Sequence, residues 1–166
     1  MPADADLILL DRVFQPVADR AAGWATCFDL ARAALVAVIA LHTAVLAWDF
    51  VLLTDPALLA LVAGGTVFGI REATRLWRQV AGAERRSRPG LMNVQRVTLR
   101  QFRVLWLAIV AAAAALGLYA GLRAVDLCNV ALCAAWLAAA YFASCSPAPP
   151  PARASGWAMA ALQGAR

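Results

Sequence analysis

From Ala33 to Leu53 the chain carries one acid, Asp49, and otherwise almost only apolar side chains. A helix rises about 1.5 Å per residue, so this run can cross the roughly 30 Å hydrocarbon core of a bilayer. Inside that core no water bonds the peptide groups, so a single apolar run must satisfy its own amides as a helix. This one feature restricts the chain to a helical membrane protein. Composition agrees, with 63% hydrophobic and 15% charged residues in 166. A soluble domain is about half apolar and roughly a quarter charged. The length fits a single domain and leaves no room for a sizeable soluble one beside several spans.

Three further runs follow. The turn Thr54-Asp55-Pro56 leads into a second span, with Pro56 suited to a first helical position. Its apolar part ends at Ile70, which is short for a crossing. The span is therefore extended over 56–77, with Arg71 and Arg75 snorkelling to the headgroups and Glu72 paired with Arg75. A third span covers 104–122, with Trp106 at its inner belt, and a fourth covers 127–144, joined by the turn Arg123-Ala124-Val125-Asp126. The expected fold is an all-α integral membrane protein with four transmembrane helices in two hairpins, packed as a four-helix bundle.

The remaining segments are expected on one side. Residues 1–32 contain Leu7, Leu10, Phe14 and Val17 at helical spacing, with Asp11, Arg12, Asp19 and Arg20 on other faces. This reads as an amphipathic helix on the membrane surface, or against the ends of the bundle, with Pro16 kinking or splitting it. The acids Asp4, Asp6 and Asp11 stand where a signal peptide would be basic. Residues 78–103 form a basic connector. Ser87-Arg88-Pro89-Gly90 marks a turn, and Leu91, Val94, Val97 and Phe102 trace an amphipathic helix after it. Residues 145–166 form a proline-rich tail favouring extended polyproline conformation.

Orientation follows from arginine. The stretch from Arg71 to Arg103 holds nine arginines, and the two short turns hold only Arg123. The positive-inside rule places that stretch, and both termini with it, in the cytoplasm. The chain has no lysine and much alanine, the usage of a GC-rich bacterial genome. The expected location is thus a bacterial inner membrane.

Candidate sites fall into three groups. Gly65 and Gly69, and Ala113, Gly117 and Gly121, are small residues four apart, which let helices approach closely in lipid. They serve packing within the bundle or an oligomer seam. Arg85, Arg86, Arg88, Arg96, Arg100 and Arg103 are candidates for contact with a partner or with anionic headgroups. His42, the one histidine, and Asp49 are the polar groups of the first span. An ionisable group there is a functional hypothesis by default. Asp49 joins Asp55, Arg123, Asp126 and Asn129 in an outer polar cluster that either neutralises loop charges or forms a pore mouth.

Absences narrow the chemistry. There is no phosphate-cradling glycine loop, no nucleophile elbow and no HExxH. One histidine cannot complete a metal or haem site alone. Cys27, Cys128, Cys133 and Cys145 form no CxxC pair and read as small apolar fillers, so no cofactor is expected. Arginines beside apolar spans argue against nucleic acid. The expected function is non-catalytic: an interaction, scaffold or accessory subunit held by anionic lipid and a membrane-protein partner or a second copy. A small oligomeric transporter or channel using His42 and the outer polar cluster is the alternative, and a membrane enzyme the third reading.

Overall fold

The computed structural model describes residues 2–87, 92–120 and 124–147, with side chains over 5–87, 92–115 and 127–147. Every element among them is helical: α1 (Pro2–Leu9), a π-helical turn (Leu10–Phe14), α2 (Gln15–Ala21), α3 (Cys27–Leu52), α4 (Pro56–Arg86), α5 (Gln95–Thr98), α6 (Arg100–Ala120) and α7 (Ala124–Ser144). Three helices among the described residues are long and apolar enough to cross a membrane: α3, α4 and the Leu127–Ser144 part of α7.

The first span helix begins at Cys27, before the apolar run, because the chain caps it there. The Thr26 hydroxyl accepts from the Asp29 amide at 3.1 Å, and the Asp29 carboxylate accepts from the Thr26 amide at 3.0 Å. Two donors that a helix start would leave orphaned are thus satisfied reciprocally. At α4, Asp55 accepts from the Ala57 amide at 2.8 Å and Pro56 needs no donor.

The second helix does not stop near Trp77 but continues to Arg86. Its buried positions explain why: Thr66, Gly69, Ala73, Leu76, Val80 and Ala83 follow each other in alternating steps of three and four. That heptad seam runs unbroken past Trp77, and α3 meets it with Phe28, Ala31, Leu35 and Val38 in the same rhythm. Heptad spacing on both helices suits coiled-coil-like packing. Arg32 pairs with Glu84 and His42 meets Gly69, so the helices run in opposite senses.

The opposite side of α3 packs on α7, and α7 packs in turn on α6. Among the described residues no comparable seam joins α4 to α6. Among the described residues the long helices therefore pack in the order α4–α3–α7–α6, an open row.

The N-terminal segment departs from expectation in its buried line. Around Pro16 the segment divides into separate elements. The chain widens into the π-helical turn, the Gln15 amide bonds the Leu10 carbonyl, and Pro16 enters the first turn of α2. The buried line is Asp6, Leu10, Ala18 and Ala21, while Leu7 and Val17 are exposed. Phe14 stacks on Tyr141 at 4.5 Å and meets Phe142 edge-on at 5.1 Å. The segment thus docks across the ends of the long helices.

The connector helix is shorter than the pattern implied. Val94 and Val97 are exposed, Leu99 is buried, and α5 is one turn that breaks before α6. Asn93 sets this geometry. Its amide donates to the carbonyls of Ala143 and Cys145, both at 2.9 Å, and its oxygen accepts from the Gln95 amide at 3.0 Å. Arg88, Leu91, Gly121, Arg123 and the tail from 148 lie outside the described residues.

Candidate functional site

At the connector end of the row, α1, α6 and α7 bring together a buried charge pair. The Arg103 guanidinium donates from Nε and Nη2 to the two oxygens of Asp6, both at 2.8 Å. Its Nη1 donates to Ser144 Oγ at 2.7 Å and to the Arg96 carbonyl at 3.0 Å. The Tyr141 hydroxyl donates to Asp6 at 2.9 Å, and the guanidinium lies 5.5 Å from the centre of the Tyr141 ring. Asp6, Arg103, Tyr141 and Ser144 are all fully buried.

Each atom here has a reason to be met. A planar guanidinium matches a carboxylate in two parallel bonds. Burial raises the Asp6 carboxyl, but the bonds from Arg103 and Tyr141 outweigh it and hold the group below its ordinary value of 3.8. The pair therefore stays charged at neutral pH. Breaking a buried pair by removing one partner costs about 3–5 kcal/mol, because the other charge is left uncompensated. The arrangement is a fastening between the N-terminal segment and two long helices.

Arg103 thus differs from its expected role. It faces the interior and is spent on Asp6, so it does not meet lipid or a partner. Arg96 is also engaged, with Asp11. Arg85, Arg86 and Arg100 are exposed, and Arg86 Nε donates to the Gly82 carbonyl at 3.0 Å. The outward group is a subset of the expected one.

The second polar point is His42, midway along α3. Trp136 Nε1 lies 3.4 Å from His42 Nε2 and the rings meet edge-on, with centroids 6.4 Å apart. On its other side His42 fills the space where a side chain at Gly69 would stand. Trp136 stacks on Trp106 at 5.3 Å, and Phe102 meets both rings. Trp106 therefore packs in the α6–α7 seam.

The remaining expected residues are scattered. Gly65 has open space where a side chain would go, so only the Gly69 half of that pair is a close approach. Ala113 is half-buried, and the surroundings of Gly117 lie outside the described side chains. Asp49 is half-buried, Asp55 is a helix cap and Asn129 is exposed. Among the described residues, no three histidines, cysteines or acids converge as a metal site. Cys145 is fully buried, and burial pushes its thiol up to about 12.

Asp6, Tyr141, Ser144 and Asn93 were absent from the expected sites. One signal was present: Asp6, Leu10 and Phe14 are spaced by four, which puts an acid on the buried face of the first helix. Nothing local marks Arg103 as its partner. In comparisons with known proteins, the chain matches no family model, no curated protein and no solved structure.

Proposed function

We propose that this chain is a non-catalytic accessory or scaffold subunit of a bacterial inner membrane, with α6 as a fourth span and both termini cytoplasmic. Residues Val104–Ala120 of α6 are apolar throughout, which supports the fourth crossing. The observation that carries the functional reading is the open row. Its two end helices each keep a flank without a helical neighbour, while the polar groups of its interior are spent on internal fastening. An enzyme or a carrier keeps polar groups aimed at a cavity, and here Arg103, Asp6, Asn93 and Ser144 hold segments together. His42 is held by Trp136 and Gly69, which favours a structural role over transport.

The test is gentle detergent extraction of the tagged protein from its native membrane, followed by native mass spectrometry. A stoichiometric membrane-protein partner is expected. Arg85→Gln/Arg100→Gln removes exposed cations and should release that partner, whereas His42→Ala should retain it. A chain found only as its own oligomer, together with loss of substrate flux in His42→Ala cells, would move the reading to an oligomeric transporter. Reporter fusions should place Arg86 inside and Asp55 outside.

A further inference from the structure

The seam that α4 presents to α3 has a counterpart on the opposite side of the same helix. Gly69, Ala73, Leu76, Val80 and Ala83 are buried in alternating steps of four and three. Two residues beyond each of them stand Arg71, Arg75, Arg78, Gly82 and Arg85. A shift of two residues turns about 200° around a helix, so the two lines lie on opposite faces and share one heptad rhythm. All four arginines of the second line are exposed. The line begins directly after Ile70, where the apolar part of α4 ends. From Arg71 to Arg85 it rises about 21 Å.

The acids of the chain are committed elsewhere. Asp6 is taken by Arg103, Asp11 by Arg96, and Asp29 and Glu84 by Arg32. Asp19 accepts from Gln15, while Asp49 and Asp55 stand at the opposite end of the α3–α4 pair. Asp4 belongs to α1 and Asp126 to α7, and neither helix shares a seam with α4 among the described residues. Glu72 alone reaches the line, 3.5 Å from Arg75, whose side chain is still 70% exposed. Among the described residues no acid pairs with Arg71, Arg78 or Arg85. Residues 88–91 and 148–166, outside the described ones, contain no acidic side chain.

A headgroup layer is roughly 5–8 Å deep on each side of a bilayer, so a crossing helix offers it about one turn of such a line. The other turns call for an anionic surface that runs along the helix axis. We propose that this flank of α4 docks a helix of a partner protein that carries Asp or Glu at the same alternating four- and three-residue spacing. That helix lies along α4 as α3 does on the other side, with its carboxylates opposite Arg71, Arg75, Arg78 and Arg85. A slip of one residue would turn the acids about 100° away, so the two rows fix each other's register. Exposed ion pairs are individually weak, so the dock needs several at once, which selects for spacing over bulk charge. The inference rests on the accessory-subunit reading and adds the partner's chemistry and its seat.

The test uses the full chain in phosphatidylcholine nanodiscs and a fluorescein-labelled helical peptide with glutamates at that spacing, read by fluorescence anisotropy. A control peptide of the same composition carries its glutamates evenly around the helix. The striped peptide should bind in clear preference to the control. Arg71→Gln/Arg78→Gln should weaken it roughly tenfold, the sum of two exposed ion pairs in the upper part of their range. Arg71→Lys/Arg78→Lys should keep the binding, which separates lost charge from lost folding. Equal binding of the two peptides, equal loss in the Gln and Lys variants, or displacement of the peptide when phosphatidylglycerol replaces phosphatidylcholine would each overturn the proposal. A striped peptide that binds a chain extracted from its native membrane without a partner would count against the accessory-subunit reading alone. A native partner fully retained by Arg71→Gln/Arg78→Gln would count against this seat alone.

Discussion

The connector end and the middle of α3 are held by opposite means. At the connector end, the chain is fastened by directional bonds: Asp6 with Arg103, Thr26 with Asp29, and Asn93 with the carbonyls ending α7. Deeper along the row, helices meet through small and apolar residues, with Gly69 admitting His42 and Ala139 fully buried on α7. The first kind of contact fails abruptly when one partner is lost. The second fails in proportion to volume. Polar fastening concentrates where water can reach the chain before it docks, and shape takes over where the surroundings are apolar throughout.

That contrast can be broken most severely at Arg103. Arg103→Ala should destabilise the fold by about 3–5 kcal/mol in a detergent thermal melt followed by circular dichroism, because Asp6 is left buried and unpaired. The joint variant Asp6→Leu/Arg103→Met should recover much of that loss. A double variant as damaged as the single one would show that the pair does more than neutralise itself.

The shape-held region gives a smaller effect. Gly69→Leu drives a side chain into the His42 ring and should cost about 1–3 kcal/mol by overpacking. Gly65→Leu enters open space and should leave the melt unchanged. Equal losses at the two glycines would remove the distinction between seam and lipid face.

Tyr141→Phe deletes one bond to Asp6 and should cost about 1 kcal/mol, since the ring remains to stack on Phe14. The same carboxylate sets a pH dependence. Its folded value lies below the unfolded 3.8, so its contribution is complete above that value and is lost as pH falls through the folded one. Stability should be level from pH 8 to 5 on this account and decline below about 3.8, and Asp6→Asn should flatten the decline. The smallest effect is chemical. A water-soluble maleimide should modify the exposed Cys128 in detergent and leave the buried Cys27 and Cys145 untouched.

Much of this was legible in the residues. The capping pair Thr26 and Asp29 is three apart in sequence, as the motif requires, and the start of α4 is written in Asp55-Pro56. Leu10 and Phe14 were recognisable as an inward line. The heptad seam of α4 was hidden because apolar residues occupy every face up to Ile70, and periodicity needs contrast to be read. The Gly65–Gly69 spacing named two residues where one makes the contact, because spacing fixes a face but not what lies opposite it.

The sequence by itself determined that this chain is helical and apolar enough for a membrane, since hydrocarbon length and backbone hydrogen bonding leave one solution to runs such as Ala33–Leu53. It also carries the starts of α3 and α4, in caps whose partners are three and two residues away. Only the tertiary structure decided that Arg103 turns inward, that the N-terminal segment docks through Asp6, and that the helices stand in an open row. Those outcomes depend on groups brought together from 97 residues apart along the chain, in the case of Asp6 and Arg103. No local pattern records which distant charge a buried charge will meet.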